Sequence, residues 1–250
     1  MLRILTYNVH SCRGVDGRLD VGRVADVIAA ERPDIVALQE LDVRRARTGK
    51  VDQAHAIAER LGMAFHFNAA FHVAEEQYGD AVLSALPIQL VKSGPLPTLP
   101  RVRGLERRGA LWVEVQVPGA RPLQIVNTHL GLVPAEQRAQ AQHLLGEDWL
   151  GHPTCRDPLI LLGDFNATPR YAAYKMIAAR LTDARRAAGV RRGALTFPSR
   201  LPMLRIDHVF VGSGVAVRRL FASSGPTAKL ASDHLPLVAD VEIEAAADAE

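Results

Sequence analysis

The stretch Leu159-Ile160-Leu161-Leu162-Gly163-Asp164-Phe165-Asn166 decides how this chain is read. Four consecutive aliphatic residues are too apolar for a surface element and read as a buried strand. That strand delivers Asp164 and Asn166, two residues apart, to one edge of a sheet. Taken alone, the pair is equally consistent with an Asx-turn closing a strand.

The same pattern recurs along the chain. The strand over residues 3–9 carries Asn8, and the apolar run 35–38 leads into Gln39-Glu40. The strand Leu123–His129 ends on His129, the strand Asp207–Val211 opens on Asp207-His208, and Asp233-His234 stands just before the run 235–241. Unpaired polar groups are costly at the ends of buried strands, so one such case reads as a cap or a turn. Their recurrence through the chain reads as one convergent site.

The elements between these strands set the fold class. Val21, Val24, Ala25 and Ile28 follow Asp20 at helical spacing, with Asp20 as the N-cap and Pro33 beyond the end. Ala54, Ile57, Ala58 and Leu61 form a second apolar stripe stopped by Gly62. Further helices are predicted from Pro134 through Leu145 and over residues 172–179. Other strands are predicted at 64–67, 81–84, 88–91, 110–117 and 215–221, with a Pro-rich surface loop at 93–104. Hairpin-like pairs are too numerous for a βαβ repeat. The prediction is a single α/β domain over residues 1–250: two mostly antiparallel β-sheets packed face to face, with helices outside.

Composition narrows the function classes. Hydrophobic residues make up 48% and charged residues 23%, which excludes long disordered stretches. The formal net charge of +3 suits a phosphorylated or polyanionic substrate. The arginine clusters at 44–47, 101–108, 185–186 and 191–192 read mainly as solvated faces. Cys12 and Cys155 fall in no CxxC pattern, so neither a structural zinc nor a disulfide framework is indicated, and two free thiols are expected. No apolar run approaches membrane-spanning length and no leader pattern is seen, so a cytoplasmic, soluble monomer is expected, with no protein partner evident.

Asn8 in Thr-Tyr-Asn-Val-His, Glu40 in Leu-Gln-Glu, Asn127-Thr128-His129-Leu130, Gly163-Asp164-Phe165-Asn166, Arg205-Ile206-Asp207 and Ser232-Asp233-His234 occur in this order. Together they resemble the endonuclease/exonuclease/phosphatase superfamily, over residues 3 to about 241. The resemblance implies a four-layer α/β sandwich and a Mg²⁺-dependent hydrolase of phosphate esters, with Mn²⁺ as a substitute. Glu40 is the first choice of metal ligand, because Mg²⁺ takes hard oxygen donors and needs only one or two carboxylates. By resemblance, Asn8 and Asp233 complete or orient that shell. Asp164 would orient and deprotonate the attacking water, and Asn166 would hold that water or a phosphate oxygen. His129 would bind a non-bridging oxygen. His234 would donate to the phosphate, with Asp207 fixing its tautomer and charge. The alternative, in which the His234–Asp207 pair is the base, stands beside this one.

Several residues are less decided. His10 and His208 lie on the faces opposite Asn8 and Asp207 and read as turned away. Arg108 is placed to reach a phosphate or to brace Glu40, and Arg205 reads as a solvated flank. Gly79-Asp80-Ala81 stands where family members often carry Gly-Asn-Ala, and Asp80 is a candidate partner for His129. Asn-Thr-His-Leu in place of Tyr-x-Pro-Asn/Gln argues against abasic-site repair. The substrate reading is a phosphodiester, with nucleic acid first and a phospholipid headgroup or inositol phosphate close behind. Trp112 and Trp149 read as core, and no apolar hairpin suited to a membrane stands out. A non-catalytic binding module is disfavoured, since degenerate members should lose several of these polar groups.

Overall fold

Strands form where aliphatic residues run without helical periodicity, and in the computed structural model they assemble into two six-stranded sheets. The structure describes residues 1–99, 102, 104–191 and 193–245. The strands are β1 (Leu2–Asn8), β2 (Ile35–Val43), β3 (Ala64–Val73), β4 (Glu76–Ser84), β5 (Ile88–Pro95), β6 (Gly109–Val115), β7 (Leu123–His129), β8 (Leu159–Asp164), β9 (Thr182–Asp183), β10 (Asp207–Val211), β11 (Val215–Ala222) and β12 (Leu237–Ile243). One sheet has the order β11-β12-β1-β2-β4-β3 and the other β5-β6-β7-β8-β10-β9. Each contains one parallel pair, β1 with β2 and β7 with β8, and the remaining pairs are antiparallel.

The helices are α1 (Val21–Glu31), α2 (Gln53–Leu61), α3 (Pro134–Leu144), α4 (Ala172–Ala178), α5 (Ala184–Ala187) and α6 (Ala228–Ala231). The Asp20 carboxylate caps α1 by accepting the Arg23 N–H at 2.8 Å, and Gly62 closes α2 in the left-handed conformation. Alternation along each strand divides the core into three layers. Ile4, Ile35, Val82, Leu111, Val113 and Ile160 meet between the two sheets. Leu5, Tyr7 and Leu38 face Val24, Ile28 and Ile57 of α1 and α2. Trp112, Val126 and Leu161 face Leu144 and Ile177 of α3 and α4. The result is the expected four-layer sandwich. Among the described residues, no helix is long and apolar enough to cross a membrane.

The strands reach further than their apolar runs. β2 continues through Glu40 to Val43, and β3 and β4 meet in a tight hairpin at Ala74, which has positive φ without being glycine or asparagine. Sequence reading missed β9, α5 and α6, which are two to four residues long and too short to show periodicity. Within the expected 93–104 loop, Pro100, Arg101 and Arg103 lie outside the described residues, as does Arg192.

A polar layer interrupts the apolar contact between the sheets directly below one edge. Asn127 of β7 donates its amide to the carbonyls of Leu38 and Ala81, both at 2.9 Å, and accepts from Gln39 Nε2 at 2.8 Å. Gln39 also donates to Thr6 Oγ1 at 3.0 Å. All these side chains are buried. Replacing Asn127 by Val leaves buried groups on the opposite sheet without partners, which costs about 1–3 kcal/mol for each group. We predict that Asn127→Val lowers stability by roughly 2–4 kcal/mol, read as a shift of the urea midpoint at unchanged slope. A midpoint at the wild-type value would show that the layer does not hold the sheets together.

Candidate active site

Register creates one half of the site. Parallel pairing sets His129 opposite Asp164, and antiparallel pairing sets Asp207 opposite Asp164, so β7, β8 and β10 present these three side chains in a row. The row requires close strand approach at Gly163. Its φ is +140°, and a Cβ there would lie 1.9 Å from the Thr128 carbonyl oxygen. After Asp164 the chain turns: the Asn166 N–H donates to Asp164 Oδ1 at 2.8 Å, with Asn166 at positive φ. The Asx-turn and the site are therefore the same structure.

The other sheet supplies the facing half. Asn8 ends β1 beside Gln39 of β2. The register of β2 against β4 slips between Leu38 and Leu41, and Glu40 inside this bulge has φ +62°. Left-handed backbone is strained for glutamate, and bulges re-aim side chains. Gln39 and Leu41 are buried while Glu40 opens partly to solvent. Asp233 and His234 lie on the turn after α6. As expected for adjacent residues, they diverge, with His234 buried and Asp233 partly exposed.

These side chains form one network. Asn8 Nδ2 donates to Glu40 Oε1 and to Asp164 Oδ2, both at 2.9 Å, and joins the two sheets. Its Oδ1 accepts the His10 N–H at 3.0 Å. His234 Nδ1 donates to Asp207 Oδ2 at 2.9 Å, and the Thr196 hydroxyl donates a short bond to the same oxygen. The ring of Phe197 packs against His234, with centroids 5.0 Å apart. Nε2 of His129 and Nε2 of His234 approach Asp164 Oδ2 to 3.4 and 3.6 Å.

The charges follow from this packing. Burial opposes the charged form of His234, but Asp207 and Asp164 outweigh it and push its pKa up to about 10. The ring is therefore an imidazolium through the neutral range. His129 goes the other way: burial, Arg108 and His234 hold it well below the ordinary histidine value. Burial raises Asp164 to about 7 against the pull of His234. Arg108 Nη1 lies 3.0 Å from His129 Nδ1. A guanidinium can only donate, so the neutral ring carries its proton on Nε2. Asn166 Nδ2 lies 3.0 Å from that same Nε2. A neutral imidazole has one acceptor nitrogen and cannot satisfy both donors, so this corner presents an excess of N–H groups, which an anionic oxygen would satisfy.

The donor set also fits a hard divalent cation. Glu40 lines a cleft with His10, Arg13, Arg47 and Tyr78, and Asp233 Oδ1 lies 3.8 Å from the Nδ1 of His10. Both cysteines are buried and free, as expected. Asn8 Oδ1 accepts the His10 N–H and keeps a second lone pair that a cation could use. One oxygen each from Asp164 and Asp207 and a nitrogen of His234 also lie within 4.8 Å of one another. That trio reads as a hydrogen-bonded relay, because an imidazolium has no lone pair to give a metal.

Some expectations need correction. Arg205 is no solvated flank: it is buried, donating to Asp183 at 2.7 Å. Arg108, and not Asp80, occupies Nδ1 of His129, and Arg108 also pairs with Glu106 at 3.1 Å. Asp80 is buried nearby, and burial raises its pKa to about 8. His208 is turned away as expected, bonded to the Ala167 carbonyl at 2.7 Å among Phe165, Tyr174 and Phe210. Sequence reading missed Thr196 and Phe197, which lie in a loop with no strand-end signal.

Fold and site together define a phosphoric ester hydrolase. The chain belongs to the endonuclease/exonuclease/phosphatase family, whose model matches residues 5–234. Members of this family are generally divalent-metal dependent. The chain is similar to the uncharacterized protein YbhP of Escherichia coli K12, 28% identical over 96% of both chains. It also resembles an endonuclease/exonuclease/phosphatase from Beutenbergia cavernae, 25% identical with TM-score 0.77, over 99% of this chain and 73% of that one. The human Nocturnin catalytic domain with bound sulfate shares the fold at TM-score 0.72 and 23% identity, over 97% of this chain and 94% of that one.

The Asp207–His234 pair makes a pH prediction. With an amide at position 207, the imidazolium loses its stabilising charge and gives up its proton at lower pH. The alkaline limb of the metal-saturated pH–rate profile of Asp207→Asn is expected to move to lower pH. An unmoved limb would show that Asp207 does not set the charge of His234.

Proposed function

We propose that this protein is a Mg²⁺-dependent phosphodiesterase, residues 1–250 forming its catalytic domain. The observation that carries the reading is the convergence of His129 Nε2 and His234 Nε2 on Asp164 Oδ2, at 3.4 and 3.6 Å. Both distances exceed those of well-formed hydrogen bonds, so both N–H groups are free to meet a phosphate oxygen beside the carboxylate. A diester carries one negative charge, which one imidazolium and one neutral donor match.

His234 and His129 each donate to a non-bridging oxygen and hold the phosphorus near Asp164. Asp164 orients a water and accepts its proton as the water oxygen bonds to phosphorus and the bond to the leaving oxygen breaks. Asn166 steadies that water or a phosphate oxygen. Asp207 keeps the His234 proton in place. Glu40 and Asp233, with Asn8, would hold Mg²⁺, which when bound supplies charge neutralisation at the phosphate and leaving oxygens. Mn²⁺ has the same ligand preference and would substitute. No side-chain nucleophile is required.

Nucleic acid, the first substrate expected from the sequence, is supported by the net charge of +3. That support is reduced because several of the clustered arginines are engaged. Arg45 and Arg47 pair with Asp42, and Arg108 pairs with Glu106.

Hydrolysis of bis-p-nitrophenyl phosphate is expected to need added Mg²⁺ or Mn²⁺ and to stop with EDTA. Full turnover in metal-free buffer would overturn the metal assignment. Glu40→Gln should weaken metal binding, measured by calorimetry, without lowering the melting temperature of the metal-free protein. A lower melting temperature with unchanged metal affinity would make Glu40 structural. Asp164→Asn keeps shape and removes basicity, so kcat should fall by roughly 10²–10⁴-fold with KM little changed. Wild-type turnover in that variant would rule out Asp164 as the base.

A further inference from the structure

The large apolar side chains left in solvent are unevenly placed. Apart from Met1, the three most exposed among the described residues are Leu132 at 71%, Leu201 at 67% and Met203 at 63%. Leu132 follows His129 of β7. Leu201 and Met203 belong to the loop that leads into Asp207 of β10. Tyr171, on the segment after Asn166, and Leu230, on α6 just before Asp233, are exposed as well. All of these positions leave the sandwich at the edge that carries the candidate active site.

The Leu201–Met203 tip is held rigidly. Phe197 and Leu204 pair at its base, and the Met203 N–H donates to the Phe197 carbonyl at 2.9 Å. The Ser199 N–H donates to the Asp233 carbonyl at 2.7 Å, and the Ser199 hydroxyl to the Lys229 carbonyl at 3.1 Å. The same loop contributes Thr196 and Phe197 to the Asp207–His234 pair. An apolar tip is thus bolted to the residues that flank the phosphate position. Among the described residues it joins none of the apolar clusters, and its exposure is set by hydrogen bonds.

Three cations lie on loops of the same edge. Arg13, Arg170 and Arg200 are exposed and have no carboxylate partner among the described residues, while Asp16 is paired with Arg23. Aliphatic tips beside free arginines match a surface that is anionic outside and apolar beneath, which is a phospholipid bilayer. A polynucleotide would call for aromatic side chains to stack its bases, and Tyr171 is the one exposed aromatic in this group.

We infer that this edge is an interfacial docking surface for an anionic phospholipid bilayer, which seats the tip at Leu201 and Met203 among the lipids and brings a headgroup phosphodiester to Asp164 and His234. The inference rests on the phosphodiesterase reading for its substrate, but the docking can be measured separately.

The test is co-sedimentation with equimolar phosphatidylglycerol/phosphatidylcholine vesicles, in Mg²⁺, for wild type and for the double variant Leu201→Ser, Met203→Ser. Hydrolysis of the vesicle lipid and of soluble bis-p-nitrophenyl phosphate is followed in parallel. The wild type should sediment with these vesicles and release headgroup phosphate product. The double variant should bind them at least about 10-fold more weakly, the scale set by burial of two large apolar side chains. Its hydrolysis of vesicle lipid should fall in step, with melting temperature and soluble-diester turnover unchanged. Equal binding by both proteins, or no binding by the wild type, would overturn the inference. So would cleavage of plasmid DNA or RNA without hydrolysis of vesicle lipid, which would assign the surface to a polynucleotide. If the double variant loses binding but neither protein hydrolyses the soluble diester, the docking surface stands and the phosphodiesterase reading fails.

Discussion

The site exists only because two sheets are held at one spacing and one register, and a buried hydrogen bond between Gln39 and Asn127 sets both. Apolar packing between the sheets is strong but non-directional, so it tolerates sliding. The amides of Asn127 and Gln39 tolerate none: Asn127 must reach two carbonyls and one side chain on the facing sheet at 2.8–2.9 Å. Gln39 immediately precedes Glu40, and Asn127 lies two residues before His129 on the same face of β7. The clamp therefore sits one layer below the groups whose spacing matters, and the 2.9 Å bond from Asn8 to Asp164 across the sheets depends on it.

Above the clamp the structure accepts local costs. Glu40 is held in left-handed backbone inside a bulge, and two donors compete for the single acceptor nitrogen of His129. Such features persist only where the surroundings over-determine them. Here the determinants are strand registers on both sides, which fix the backbone whatever the site residues prefer. The cost has a chemical consequence. An unrelieved excess of N–H groups next to an imidazolium would be satisfied by an incoming anionic oxygen, which is what the proposed phosphate position requires.

Much of this was legible because chemistry fell at the ends of apolar runs. Asn8, Glu40, His129, Asp164, Asn166, Asp207 and His234 each interrupt or terminate such a run, and the structure brings all seven into one network. The supporting residues were illegible for physical reasons. Arg108 and Asp80 stand just before apolar runs, at positions where exposed residues are equally common, and only tertiary packing shows that both are buried and that the arginine selects the His129 tautomer. Thr196 and Phe197 lie in a loop without periodicity. Arg205 reads as a surface charge until Asp183, on a strand of two residues, is seen beside it.

The same reasoning separates what is shared within the family from what is particular to this chain. The proposed catalytic side chains at strand ends take their positions from the sheets, so a chain that keeps both the registers and these residues would keep the row, and the row alone says little about which ester is cleaved. Substrate choice has to reside in side chains that surround this row without belonging to it. Here those are arginines without a carboxylate partner, and apolar residues outside the core, among the described residues. Sequence alone could not mark Leu201 and Met203, because an apolar residue in a loop is buried as often as it is exposed. Their exposure, on a loop pinned to the Asp233 carbonyl, is the observation on which the proposed bilayer docking rests.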